Sequence, residues 1–399
     1  MKLVEKKNLL PFILVTSLFM LWGIANNMTD TLLSAFKKIM SMSDTQTSLI
    51  QFAFYGSYFC FALPAALYIR KHSYKAGVIL GLALYACGAI LFLPAAKAAS
   101  YAFYLIAIYI MAGGCSVLET TANPYILSMG SPETATRRLN AAQAFNPLGS
   151  ITGILLSRFF ILKDISLYSV SGTYAALGLV LVVIMVVMLF AKMPEGRDSG
   201  SEVGVGATFR RLAKNKKYIF GVIAQFFYVG AQIGAWSFTI RIAMQELGIS
   251  EAEGATIYLF IIVGFSVSRF IYTWLMKYVS SVKLLLFSGI ASAICAAAVA
   301  LSAGSGWFLV IALGLVSFFM SLMFPTIYGI ALGGITEGEH PEDAKIGASG
   351  LIMAILGGAL VTPLQALVSD SFSIYASYLV PAFCFVVVAA YAVSVLRSR

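Results

Sequence analysis

Residues 192–217 read KMPEGRDSGSEVGVGATFRRLAKNKK, the longest polar interruption in a chain that is otherwise strongly apolar. The first part is rich in Gly and Ser and reads as a flexible connector. The second part, FRRLAKNKK, fits a short basic amphipathic helix on a membrane surface or, equally, a solvated charged loop. To either side, apolar runs recur at about 20 residues, the length a helix needs to cross a bilayer. Twelve such runs can be drawn, near 10–36, 47–69, 76–95, 101–129, 140–162, 168–191, 217–242, 254–276, 283–301, 306–334, 345–367 and 373–396. Six precede the interruption and six follow it.

Composition points the same way. The 399 residues are 60% hydrophobic and 11% charged, with a mean hydropathy of +0.89, whereas soluble domains are about a quarter charged. The short alternating segments of a membrane β-barrel are absent. The expected fold class is an all-α integral membrane protein with twelve transmembrane helices in two six-helix pseudo-repeats. The N-terminal bundle is placed at 1–195, a cytoplasmic linker at 196–216 and the C-terminal bundle at 217–399. Two pairs of segments support the repeat. FMLWGIANNMTD (19–30) echoes QFFYVGAQIGAW (225–236), and YIRKHSYKAGVILG (68–81) echoes LMKYVSSVKLLLFSG (275–289).

A net charge of +10 suggests nucleic acid only if its distribution is ignored. With the N-terminus inside, twenty of the 27 basic residues fall in inner loops, the linker or the termini. Six fall outside: Lys37, Lys38, Lys97, Arg158, Lys163 and Arg241. The positive-inside rule then places both termini in the cytoplasm, and no nucleic-acid partner is expected. Cys60, Cys87, Cys115, Cys295 and Cys384 are scattered singly through apolar runs, so neither disulfides nor a metal site is expected. The first run is too long for a cleaved signal and reads as helix one.

Against this background a few polar residues stand out. Of the seventeen acids, only Asp30 in helix one and Glu119 in helix four fall well within a span. A charge at membrane depth costs at least about 2.5–3.5 kcal/mol, so such residues are rare and tend to line cavities. A carboxylate escapes that cost by taking a proton, because desolvation disfavours its charged form. An acid that is neutral when buried and charged when wetted can carry protons in an alternating-access protein, although a carboxyl that only bonds a neighbouring helix is the plainer reading. Among the bases, Arg269 alone lies well inside, and it is expected to snorkel inward or to pair with helix-end carbonyls.

Amides form a second group: Asn26, Asn27, Asn123, Gln143, Asn146 and Gln232. Their donors and acceptors match a neutral polyhydroxylated ligand, or they join helices to one another. Trp22, Tyr55, Tyr58, Phe145, Tyr228, Trp236 and Phe265 offer flat faces for a sugar ring, with ordinary packing as the alternative for any single one.

The segments ANNMTD (25–30), LETTANP (118–124), LNAAQAFNPLGS (139–150), AQFFYVGAQ (224–232), AWS (235–237), SRF (268–270) and FPTIYG (324–329) together resemble the fucose:galactose:glucose:proton symporter family of the major facilitator superfamily. The likeness runs from helix one to helix twelve. It implies an importer of a neutral hexose or deoxyhexose, L-fucose first, by alternating access in the bacterial inner membrane, with no cofactor and as a monomer. By the same resemblance Asp30 and Glu119 take proton-coupling roles, and Asn27, Gln143, Asn146 and Phe265 line the sugar cavity. Gln232 joins that set on its residue type and position. Two departures stand out. A tyrosine expected just before the helix-ten proline is Phe324 here, which removes one hydroxyl from the expected sugar site. The loop RKHSYKAG (70–77) also lacks the acidic residue and arginine pair of the wider superfamily.

Glucose, galactose and N-acetylglucosamine remain alternative substrates, and Na⁺ an alternative coupling ion. A membrane enzyme is disfavoured: His72 and His340 sit in loops, an intramembrane aspartyl protease wants two aspartates, and no phosphate-binding loop is present. A sugar-sensing receptor without transport is the third reading.

Overall fold

A computed structural model describes residues 3–42, 44–161, 166–193, 204–336 and 338–398. Among these residues, twelve stretches are long and apolar enough to span a membrane. They are labelled α1 to α12. Helix α1 is Leu9–Ile39, α2 Asp44–Lys71, and α3 Tyr74–Ile90, resumed as Phe92–Lys97. Helix α4 is Tyr101–Ser128, α5 the two segments Ala135–Gln143 and Asn146–Leu156, and α6 Leu167–Phe190. In the second half α7 is Lys216–Leu247, α8 Glu251–Leu275 and α9 Ser281–Leu301. Helix α10 comprises Trp307–Met320 and Met323–Thr336, α11 comprises Ala344–Met353 and Gly357–Ser371, and α12 is Leu379–Arg397.

Local chemistry sets many of these boundaries. Ser73, Ser100, Ser166, Asn215, Ser250 and Ser280 each accept a bond from a first-turn amide of the helix that follows. Such a cap is worth about 1 kcal/mol. Helix α7 ends at Gly248, whose φ of 64° is the left-handed conformation that glycine adopts at no steric cost. The breaks inside α5 and α10 lie just upstream of Pro147 and Pro325, where the missing N–H leaves a carbonyl without its helical partner.

The two halves repeat one packing scheme. Helix α1 lies along α5 as α7 lies along α11, and α3 along α6 as α9 along α12. Lipid supplies no hydrophobic force between helices, so close approach depends on small residues. A Cβ on Gly149 would strike the Met20 carbonyl, and one on Gly23 the Asn146 carbonyl. In the second half a Cβ on Gly357 would strike the Phe226 carbonyl. The α1–α5 and α7–α11 crossings are thus glycine-mediated in both repeats.

The halves meet at the end that carries both termini. There Asn140 Nδ2 of α5 donates to Thr326 Oγ1 of α10 at 3.1 Å. Lys345 at the start of α11 sits 5.2 Å from the Tyr74 ring of α3. Helix α2 packs chiefly on the first segment of α11 rather than on the second. The loop that opened the sequence reading is helical from Val205 to Lys214. It is a docked helix rather than a solvated loop: Thr208 and Leu212 are buried, and Asp343 accepts from Thr208 Oγ1 at 2.7 Å and from Arg211 at 2.6 Å. Helix α7 then starts at Lys216, so the basic tail of FRRLAKNKK belongs to a membrane helix. Residues 194–203 lie outside the described residues.

Candidate functional site

Between the halves lies a cavity of about 490 Å³, within the range of small-ligand sites. Its wall follows helical periodicity. Helix α5 contributes Gln143, Asn146, Pro147 and Ser150, and α7 contributes Val229, Gln232, Ile233, Trp236, Ser237 and Ile240. Helix α8 adds Tyr258, Ile262, Phe265 and Arg269. Trp22 and Asn27 enter from α1, Phe54, Tyr55 and Tyr58 from α2, Phe324 from α10 and Ile355 from the bend in α11. Nearly all of these residues lie at a helix midpoint or toward the end opposite the termini, with Arg269 as the deepest. The wall mixes amides and hydroxyls with aromatic faces. A second hollow of about 540 Å³ between α8 and α10 is lined by Phe260, Trp307 and Ile311, exposed on the outside of the bundle. It carries no convergent polar groups.

Most expected ligand-binding residues come together here: Asn27, Gln143, Asn146, Gln232, Phe265 and Phe324 all line the cavity. Asn146 Nδ2 donates to the Phe19 carbonyl at 3.2 Å, and Asn27 Nδ2 to the Gly23 carbonyl at 3.3 Å. Trp236 stands edge-on to Phe265 at 5.0 Å, and its Nε1 is tied to Ser317 Oγ at 3.0 Å. Phe324 stacks on Tyr328 at 6.3 Å and meets Trp22 edge-on at 6.4 Å. The position that lacks the expected hydroxyl is therefore an apolar aromatic floor.

Other expectations need correction. Phe145 does not face the cavity; it is exposed and packs on Phe270 at 6.0 Å, because the break in α5 turns it outward. Tyr228 is buried behind the wall rather than in it. Glu119 lies outside the cavity lining as well. It is 2% exposed, and neither carboxyl oxygen finds a hydrogen-bond partner among the described residues. Tyr58, Cys115 and Tyr328 lie within its electrostatic reach. Asp30 is on α1, but its side chain, like that of Asn26, lies outside the described residues.

Of the two expectations for Arg269, pairing with helix-end carbonyls holds and snorkelling does not. Nε donates to the Ser321 carbonyl at 2.8 Å and Nη1 to the Gln143 carbonyl at 2.6 Å, with Phe265 beneath the guanidinium at 4.9 Å. These two acceptors are the carbonyls that Pro325 and Pro147, four residues downstream, leave free. One guanidinium thus closes two proline gaps, one in each half, at the floor of the cavity. Arg138, read from sequence as a loop residue, is also buried. Its Nε bonds the Ile126 carbonyl at 2.7 Å and its Nη1 bonds Thr134 Oγ1 at 3.0 Å, so it caps the end of α4. Ser150, Ser237 and Tyr258 also stand in the wall, without having been expected there from sequence. Spacing from known neighbours could have found them: 143, 146, 147 and 150 share one helical face, as do 258, 262, 265 and 269.

Two pseudo-repeated six-helix halves around a central polar cavity define the class: a secondary membrane transporter. More particularly, the chain belongs to the Major Facilitator Superfamily, whose family model matches residues 12–341. It is 42% identical to the L-fucose-proton symporter of Haemophilus influenzae, over 98% of this chain and 97% of that protein. It is 33% identical to a glucose/galactose transporter of Brucella abortus, over 94% and 92%. Among solved structures it superposes on the superfamily transporter FucP in the outward conformation with a TM-score of 0.88, at 34% identity, covering 98% of this chain and 99% of that one.

Proposed function

We propose that the chain imports a neutral hexose or deoxyhexose, L-fucose first, together with a proton, by alternating access. The observation that carries this reading is the pairing of an amide- and aromatic-lined cavity with a buried acid whose carboxyl oxygens make no hydrogen bond among the described residues. Amides suit hydroxyl groups and aromatic faces suit the apolar side of a sugar ring. An ionised Glu119 would be costly where it lies, so it holds a proton in this conformation and releases it in another. Asp30, nearer the end opposite the termini, is the second coupling group. Asn27, Gln143, Asn146, Gln232, Phe265 and Phe324 hold the sugar. The similarity to a fucose-proton symporter favours L-fucose and a proton over Na⁺, while Phe324 in place of a hydroxyl keeps galactose and glucose in the substrate panel. The protein acts as a monomer in the bacterial inner membrane, with both termini and the linker helix in the cytoplasm, as the distribution of Lys and Arg requires.

The test is proton movement. Adding L-fucose to energy-starved cells in weak buffer should alkalinise the medium, and no other hexose in the panel should do so more strongly. A flat pH trace with uptake that needs Na⁺ would overturn the proton assignment. Uptake of glucose or galactose but not of L-fucose would overturn the substrate.

A further inference from the structure

Asn123 is fully buried behind the cavity wall. Its Nδ2 donates to the Glu119 carbonyl at 3.0 Å, and its Oδ1 accepts from Gln143 Nε2 at 2.7 Å. The order of this chain is forced. A backbone carbonyl can only accept, so the amide nitrogen of Asn123 must face it and the amide oxygen must face Gln143. Gln143 therefore spends one of its two amide N–H groups on Asn123, which fixes which way its amide is turned. Its Oε1 has no partner among the described residues, while the residue itself lines the cavity. The backbone of Gln143 is held as well, by Arg269 on its carbonyl. Asn146 is turned the same way through the Phe19 carbonyl.

We infer that Asn123 is a positioning residue that fixes the polarity of the sugar site: by holding one N–H of Gln143 it sets the amide's orientation and leaves Gln143 Oε1 as an acceptor, so the site selects a ligand hydroxyl that donates there. The inference rests on the sugar reading above and goes beyond it, because it assigns direction to a hydrogen bond rather than merely its presence. A buried acceptor left facing a group that cannot donate weakens binding, and sites built this way discriminate strongly.

The experiment uses L-fucose and its monodeoxyfluoro analogues, in which each secondary hydroxyl in turn becomes a fluorine that accepts weakly and cannot donate. Competition against labelled L-fucose in proteoliposome counterflow gives relative affinities. Wild type should bind at least one analogue about tenfold or more weaker than L-fucose. Asn123→Leu frees the Gln143 amide to turn and offer N–H, so that analogue's disadvantage should shrink to about threefold or less even as the parent sugar weakens. In a Gln143→Leu background, Asn123→Leu should cause no further loss of affinity. Asn123→Ala replaces the leucine variant if the latter does not reach the membrane. Equal weakening of every sugar, with discrimination unchanged, would make Asn123 merely structural and overturn the inference. So would a wild type that accepts every fluoro analogue as well as L-fucose. If wild type binds no L-fucose at all, the substrate reading falls instead, and the fluoro analogues of the hexose that does bind serve for the same comparison.

Discussion

Glu119 shows how much a single residue can reveal and where that stops. Its isolation in an uncharged helix marks it, and burial without a hydrogen bond among the described residues is the arrangement that makes its proton state consequential. Glu119→Gln mimics the protonated acid, so counterflow of labelled sugar should continue while uphill accumulation is lost. Normal accumulation would remove Glu119 from coupling, and absence of the variant from the membrane would make the residue structural. Arg269 makes the opposite point. Its position and the kind of partner, helix-end carbonyls, were legible, but which carbonyls was not, since they lie on two other helices. Arg269→Met leaves both proline-freed carbonyls unsatisfied, at about 1–3 kcal/mol each, and should lower the thermal midpoint in detergent. Arg269→Lys, which brings a flexible ammonium without the planar fork, should fall between. An unchanged midpoint in the Met variant would show that the carbonyls have other partners.

At the scale of elements, the linker helix is held by one carboxylate. Asp343 is 3% exposed and takes a hydroxyl and a guanidinium from Val205–Lys214. The contact also holds Arg211 further above its ordinary pKa, through the hydrogen bonds it donates to Asp343 and then the charge of that carboxylate and of Glu342. Asp343→Ala should undock the helix and speed trypsin cleavage after Arg210 or Lys214 by roughly 5–30-fold, the equivalent of one or two kcal/mol of local stability. Unchanged cleavage would mean that apolar contacts such as Leu212 suffice. The amphipathic character of this segment was readable from FRRLAKNKK. Its start at Val205 was not, because docking to a residue more than a hundred positions away decides where the helix begins.

Across the whole molecule, the halves touch at the terminal end and enclose the cavity above it. Gly329 of α10 sits against Thr136 of α5 there: an added Cβ would lie 2.9 Å from its Oγ1. Gly329→Trp should act as a wedge. Overpacking costs about 1–3 kcal/mol, so the balance between the two facings should shift by roughly 5–150-fold. With the exposed Cys60 and Cys87 replaced by Ser, a cysteine at Asn140 should then react faster with a water-soluble thiol reagent. An unchanged rate would show that this contact is not part of the closed end.

The number of spans, their order and the six-and-six division were all present in the chain, because the bilayer imposes one length and one hydropathy on every crossing. The same constraint made Glu119 and the amides conspicuous, since a polar group in an apolar run needs a reason. What the sequence could not supply was which way those groups turn. Phe145 points out and Phe324 in, Glu119 lies behind the wall rather than in it, and Asn123 bonds Gln143 from behind the cavity lining. Each of these outcomes depends on breaks at prolines and on glycine crossings between helices distant in sequence. Hydrogen bonds between such helices exist only once the chain has packed, so the tertiary structure alone decided them.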